Sequence, residues 1–309
     1  MTTAWPEQNA FRPINVPWPL RNWLDGFTAA AFKAGPPLDL ANPAGEPALV
    51  PPDSVSWRIF KNPLAMFIGG VSAVLLELAE PRVRAGVWDH TSFRTDPVRR
   101  LRRTGAAAML TVYGARSQAE AMIAGVRRRH GAVSGTTPDG AAYEANDPEL
   151  LKWVQATAAF GFLAAYDAFG RPVSREDQDR YFSEGVEGSR LYGAQDVPTS
   201  RAALEVYFQA MRPKLGPSPV LLEFLDIISK APVMPAPMRP LQRMMVRAAI
   251  DILPPWAQQQ LDLATWRFRP FEAVLLRRIG ALADRIVIAN GPPAQACVRL
   301  GLPADYLYR

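Results

Sequence analysis

Cysteine is nearly missing from this 309-residue chain: it occurs once, at Cys297. A single thiol excludes an internal disulfide and any zinc or iron–sulfur site built from cysteines. Histidine is almost as scarce, with two residues, His90 and His130. That excludes a three-histidine metal site, and no HExxH pattern supplies the two-histidine alternative. GxGxxG, P-loop and GxSxG segments are also missing, which argues against nucleotide cofactors and a serine nucleophile elbow. No basic stretch followed by an apolar one opens the sequence, so no secretory signal is read and a cytoplasmic location is expected. Strand-type alternation nowhere runs long enough to propose a sheet, and no repeat period shows.

What is present is apolar and arginine-rich. About half of the residues are hydrophobic (49%) and 21% are charged, enough for a sizeable core and unlike a disordered chain. The net charge of +6 is concentrated in "RRLRR" (Arg99 to Arg103) and "RRR" (Arg127 to Arg129). Such clusters suit nucleic acid, an anionic membrane surface, or the anionic groups of a cofactor. With no zinc-finger spacing, RNP-type aromatic run or long basic arm, nucleic acid is not expected as a partner. The most apolar run, "PLAMFIGGVSAVLLELA" (Pro63 to Ala79), sits at the lower limit for crossing a bilayer. It carries Gly69, Gly70 and Glu77, and reads as a buried core helix. Peripheral membrane contact stays compatible with the amphipathic "WPLRNWLDGFTAAAF" near the N-terminus.

The organisation is that of an all-α protein. Residues 1–56 are proline-rich and read as an irregular arm packed on the body, with a short helix around Leu20 to Phe32. Residues 57–309 read as one large helical domain. Helical periodicity places helices over Ala65 to Leu78, Glu80 to Asp89, Pro97 to Tyr113, Ser117 to His130 and Asp147 to Phe169. Further helices follow over Ser174 to Tyr192, Thr199 to Met211, Pro219 to Ser229, Pro240 to Leu253, Pro255 to Leu261 and Pro270 to Ile288. Prolines repeatedly stand at helix starts, which accounts for much of their count of 30. Asp96 reads as an N-cap and Gly131 as a C′ glycine.

Two of these helices carry candidate chemistry. Ala119, Ile123, Val126 and His130 share one helical face, so His130 lies on the inward stripe at the last turn. A buried imidazole needs a partner. It is either a core histidine satisfied by a carbonyl or side chain, or an axial ligand to a haem iron, which needs only one histidine. In "DPVRRLRRTGAAAMLTVYG", Arg100 lies four residues from Thr104 and three from Arg103, so all three can face one space. Arginines beside the positive end of a helix dipole call for an anionic partner, such as a carboxylate or a haem propionate; the bland alternative is a solvated basic face. His90, in "VWDHTSF", reads as a structural histidine next to Asp89 or as a second polar group at the site.

Taken in order, "GGVSAVLLELAEPRVRAGVWDHTSFRTDP", "RLRRT", "VRRRHGAVSGT", "YEANDPELLKWVQAT", "FGRPVSREDQDRYFSE" and "ILPPW" resemble the oxygenase family of latex-clearing proteins (rubber oxygenases) and MpaB-type oxygenases. The resemblance spans roughly Trp57 to Leu263. It implies an all-helical fold with a globin-like core and a b-type haem whose iron is held by His130. It also implies an arginine–threonine pair, Arg100 and Thr104, on the other haem face. The family's lysine before the threonine is replaced by Arg103, which cannot ligate iron because it does not deprotonate. The family's catalytic glutamate has no clear counterpart: Glu77 and Glu80 lie nearby, and His90 could supply a base instead. Gln155 stands in "WVQ" where many relatives carry "WVH". The resemblance thus implies a haem-dependent oxygenase that uses dioxygen on a lipophilic, unsaturated substrate. Arg100, Thr104 and His90 would be catalytic, and His130 and Arg103 would hold the cofactor. The Pro63 to Ala79 helix with Phe160, Phe162 and Tyr166 is read as the source of the pocket walls, although these aromatics are expected in the core rather than against substrate. The alternative is a non-catalytic lipid- or isoprenoid-binding protein with an unused haem site.

Overall fold

Proline and short polar residues set the helix starts of this protein. The computed structural model describes residues 38–309, together with 13, 14 and 26. The helix expected over Leu20 to Phe32 lies outside these residues, apart from Gly26, which is helical. The order along the chain begins with α1 (Val55–Phe60), α2 (Pro63–Ala79), α3 (Pro81–His90), α4 (Pro97–Tyr113) and α5 (Arg116–His130). A short antiparallel hairpin follows, β1 (Ser134–Thr136) and β2 (Ala142–Glu144), with Gly135 opposite Tyr143. Then come α6 (Pro148–Phe169), α7 (Arg175–Glu184), α8 (Val186–Tyr192), α9 (Arg201–Met211) and α10 (Pro219–Lys230). The chain closes with α11 (Arg239–Asp251), α12 (Pro255–Gln260), α13 (Pro270–Ala283) and α14 (Pro292–Arg299). The fold is all-α apart from that hairpin.

Helices α2, α3, α4, α6, α10, α12, α13 and α14 all begin with a proline. A proline there forfeits an N–H that has no partner inside the helix, and its fixed φ already suits the first turn. The next free N–H groups are met by side chains: Asn62 caps α2, Glu80 α3, Asp96 α4, Asp147 α6 and Ser174 α7.

Several expectations change. The helix expected over Ser174 to Tyr192 breaks at Gly185 into α7 and α8. The one expected to Ile288 stops at Ala283, where the buried Asp284 caps α13. Helices α1 and α14 were not expected, being only six and eight residues long. The hairpin was not expected either, because three-residue strands leave no alternating pattern to read. Gly131 closes α5 in the right-handed region (φ −61°), so this turn does not use a glycine's left-handed freedom.

The core is organised around α2 and α6. Eleven residues of each are buried. The two helices touch backbone to backbone at Gly69 and Gly161: a Cβ on Gly161 would stand 2.3 Å from the Gly69 carbonyl oxygen. Trp153, fully buried on α6, donates its indole N–H to the Leu76 carbonyl at 3.1 Å. Helix α2 is thus an interior helix, and among the described residues no single helix is long and apolar enough to cross a membrane. One apolar cluster runs from Leu40 to Cys297. Arg299, 2% exposed, ties residues 40–46 to α14 by donating to the carbonyls of Leu40 (2.7 Å) and Glu46 (2.9 Å).

Candidate functional site

The site begins where α5 ends. Ala119 and Ile123 are fully buried on the inward stripe of α5, and Val126 and His130 continue it, half-buried. After His130 the chain turns back on the helix end. Val133 N–H donates to the His130 carbonyl at 2.9 Å, and Ala145 N–H donates to the Val133 carbonyl at 2.9 Å. Asn146 donates to the Arg127 carbonyl at 3.0 Å, satisfying an orphan acceptor of the last turn. These bonds bring the Ala145 backbone against the imidazole. Its Nδ1 is enclosed without a well-formed hydrogen bond, although the Ala145 backbone comes near enough to favour the protonated ring. Burial lowers the His130 pKa below the ordinary histidine value; the Arg100 and Arg129 charges lower it further, and the Ala145 backbone opposes them. The balance favours the neutral ring, the form in which an imidazole ligates a metal.

Arg100 is the hub of the surrounding charges. Asp96 fixes the start of α4 by accepting from the Arg99 N–H at 3.2 Å. One turn in, Arg100 donates from Nη1 to the Thr104 hydroxyl at 2.5 Å, and that hydroxyl donates to the Arg100 carbonyl at 3.0 Å. Arg100 Nε is buried and has no hydrogen-bond partner. Burial lowers the Arg100 pKa, the Glu77 charge raises it and Arg103 lowers it. Thr104 and Arg103 are exposed and stand at the rim.

Glu77 separates from Glu80 once the helices are placed. Glu80 caps α3, accepting from the Val83 N–H at 2.8 Å, and pairs with Arg82 at 2.8 Å. Glu77, on α2, has no such partner among the described residues. Burial pushes its carboxyl up to about 7, against the opposing pull of Arg100. By surface area Glu77, Arg100 and His130 are each half-buried, yet burial is the largest influence on all three. Thr104 is thus bonded to the Arg100 guanidinium, and the charge of that guanidinium acts on Glu77 and His130, with Arg103 close enough to oppose it.

His90 stands apart from this group. It is exposed at the end of α3, and its Nε2 meets the Tyr143 hydroxyl of β2 at 3.1 Å. The aromatics offered as pocket walls take the core placement expected of them. Phe160 packs on Phe208 (5.4 Å between centroids), Phe162 on Phe60 (4.8 Å), and Tyr166 is fully buried. They belong to the core. Gln155 accepts from the Ser189 hydroxyl at 3.4 Å, a contact between α6 and α8. Two surface grooves, of about 570 Å³ beside Glu184 and Glu187 and about 260 Å³ beside Phe208 and Trp256, do not touch His130.

The donor set is instructive. Among the described residues no three His, Cys, Asp or Glu side chains converge on a common point. A metal held by protein ligands alone lacks donors here, whereas a metal carried in its own macrocycle needs one nitrogen, and His130 offers it. The one sequence signal for Glu77 was an acid inside an otherwise apolar helix.

Residues 57–285 match the family described as ER-bound oxygenase mpaB/B′ and rubber oxygenase, catalytic domain. No curated protein and no solved structure gave a significant match. The matched span takes in α2, α4 and α5 and hence all five residues of the Arg100-centred group; the chain belongs to the mpaB and rubber oxygenase family and carries its catalytic domain.

Proposed function

We propose that this protein is a haem b-dependent oxygenase acting with dioxygen on a small lipophilic, unsaturated substrate. The observation that carries the reading is Arg100, whose buried Nε has no hydrogen-bond partner and whose charge acts both on Glu77 and on a His130 that burial holds towards its neutral form. His130 would hold the iron, and Arg103 at the rim would meet a propionate. When bound, haem iron supplies a centre for binding and activating dioxygen.

The chain's own residues divide the remaining work. Thr104 holds Arg100 Nη1, and the buried Nε, with no protein acceptor, is free to donate to an anionic oxygen. Glu77 changes protonation near neutral pH, so its carboxylate oxygen can take a proton from a substrate carbon or return one to oxygen. The apolar surroundings of Glu77 on α2 favour a lipophilic partner. A non-catalytic lipid-binding protein would leave the perturbed Glu77 without a role.

The test is a visible absorption spectrum. Wild-type protein expressed with haem supplied should show a Soret band, and His130→Ala should lose it while keeping its helical content. Absence of the band in wild type, or its persistence unchanged in His130→Ala, overturns the reading.

A further inference from the structure

Helix α13 turns one face to the body and the other outward. Glu272, Leu276 and Gly280, spaced four apart, are buried. Glu272 is gripped by the Arg247 guanidinium and accepts from the Arg269 N–H at 3.0 Å. Gly280 sits so close to α6 that a Cβ would come 2.0 Å from the Phe169 carbonyl oxygen. The helix is therefore clamped at both ends and its outer face is rigidly presented.

That outer face is apolar and cationic. Phe271, Val274, Leu275 and Leu282 are exposed to 62, 51, 43 and 49%. Arg277 and Arg278 are exposed among them, and Arg267 and Arg269 are exposed just before the helix. The acids nearby, Glu272 and Asp284, are both buried and already paired. Neither Arg277 nor Arg278 has an acidic partner among the described residues. Single exposed apolar residues are common, but four on one helix face with arginines and no exposed carboxylate are not.

We propose that α13 docks the protein on an anionic phospholipid surface. Phe271, Val274, Leu275 and Leu282 would enter the boundary between headgroups and acyl chains. Arg277 and Arg278 would reach out along their apolar stems to lipid phosphates. A second copy of the chain is the poorer occupant: a two-fold contact sets the same patch against itself and brings the Arg277–Arg278 pairs together. The inference stands independently of the proposed reaction.

Co-sedimentation of the full chain with vesicles tests it. Wild type should pellet with phosphatidylcholine–phosphatidylserine vesicles, less with phosphatidylcholine alone, and be released by salt. Phe271→Asp/Leu275→Asp should weaken binding at least about tenfold, and Arg277→Gln/Arg278→Gln by roughly tenfold or more, with a flatter salt dependence. Val206→Asp, at a 72% exposed site on α9, should change nothing. His130→Ala should still pellet, which separates this inference from the haem assignment. Thermal melts check folding; if the apolar pair fails to fold, the arginine pair carries the test. Equal pelleting of wild type and the arginine pair overturns the proposal. So does a failure of wild type to bind the anionic vesicles, including the case where it instead forms a dimer.

Discussion

At the residue scale the clearest anomaly is Glu77, whose carboxyl stands at about 7 against an ordinary value of 4.5. The stability consequence has a definite sign. Below about pH 4.5 the group is protonated in folded and unfolded chains alike. As the pH rises the unfolded chain ionises first, so the folded chain binds the extra proton and loses stability until about pH 7. The full difference is on the order of 3 kcal/mol. Glu77→Gln should therefore gain on wild type between pH 4.5 and pH 8 by up to that amount, read from chemical denaturation at the two pH values. An equal gap at both would mean that Glu77 ionises normally. His130 was legible from its place on the inward stripe of α5. Its polar surroundings were not, because they depend on where the hairpin puts Ala145.

At the scale of elements, the α2–α6 crossing is the least forgiving contact. Gly161→Ala sets a methyl group against the Gly69 backbone, which cannot yield as a flexible side chain would. It should cost about 1–3 kcal/mol or more in urea denaturation. Gly70→Ala, one position along α2 from the crossing, meets only the Phe162 ring at 3.9 Å. It should be neutral or stabilising by up to about 1 kcal/mol, since alanine suits a helix better. Equal effects of the two changes would argue against the close crossing. The helices themselves were readable because proline starts, polar caps and the 3.6-residue period agree along most of the chain. Where they failed, at α1, α14 and the hairpin, the elements are too short to complete a period.

At the scale of the whole molecule, a buried ion pair ties the first helices to the C-terminal part. Lys61, just after α1, meets Asp284 Oδ2 at 3.1 Å, with side chains 1% and 0% exposed. Lys61 also donates to the Asp284 carbonyl at 2.5 Å and stands 4.5 Å from the Tyr308 ring centroid. Burial pushes the lysine down to about 8, against the pull of Asp284. Removing one partner strands the other charge in the interior. Asp284→Asn should destabilise by about 3–5 kcal/mol, and Lys61→Met added to it should recover part of that loss, seen as a partly restored melting temperature. No recovery would show that Asp284 acts mainly through its other partner, Arg171, at 2.5 Å.

The sequence by itself determined the helical class, the positions of most helices, the exclusion of cysteine- and histidine-cage metal sites, and one face carrying Arg100 and Thr104 and another carrying His130. Those properties are local: they follow from residue counts and from spacing along a single helix. The tertiary structure alone decided that the Arg100 charge acts on both Glu77 and His130, that Glu80 is spent on a cap, and that His90 meets the hairpin through Tyr143. Each of these depends on how separate helices cross. The clearest case is the α2–α6 crossing of the core, set by two glycines 92 positions apart, Gly69 and Gly161, whose contact no local pattern announces.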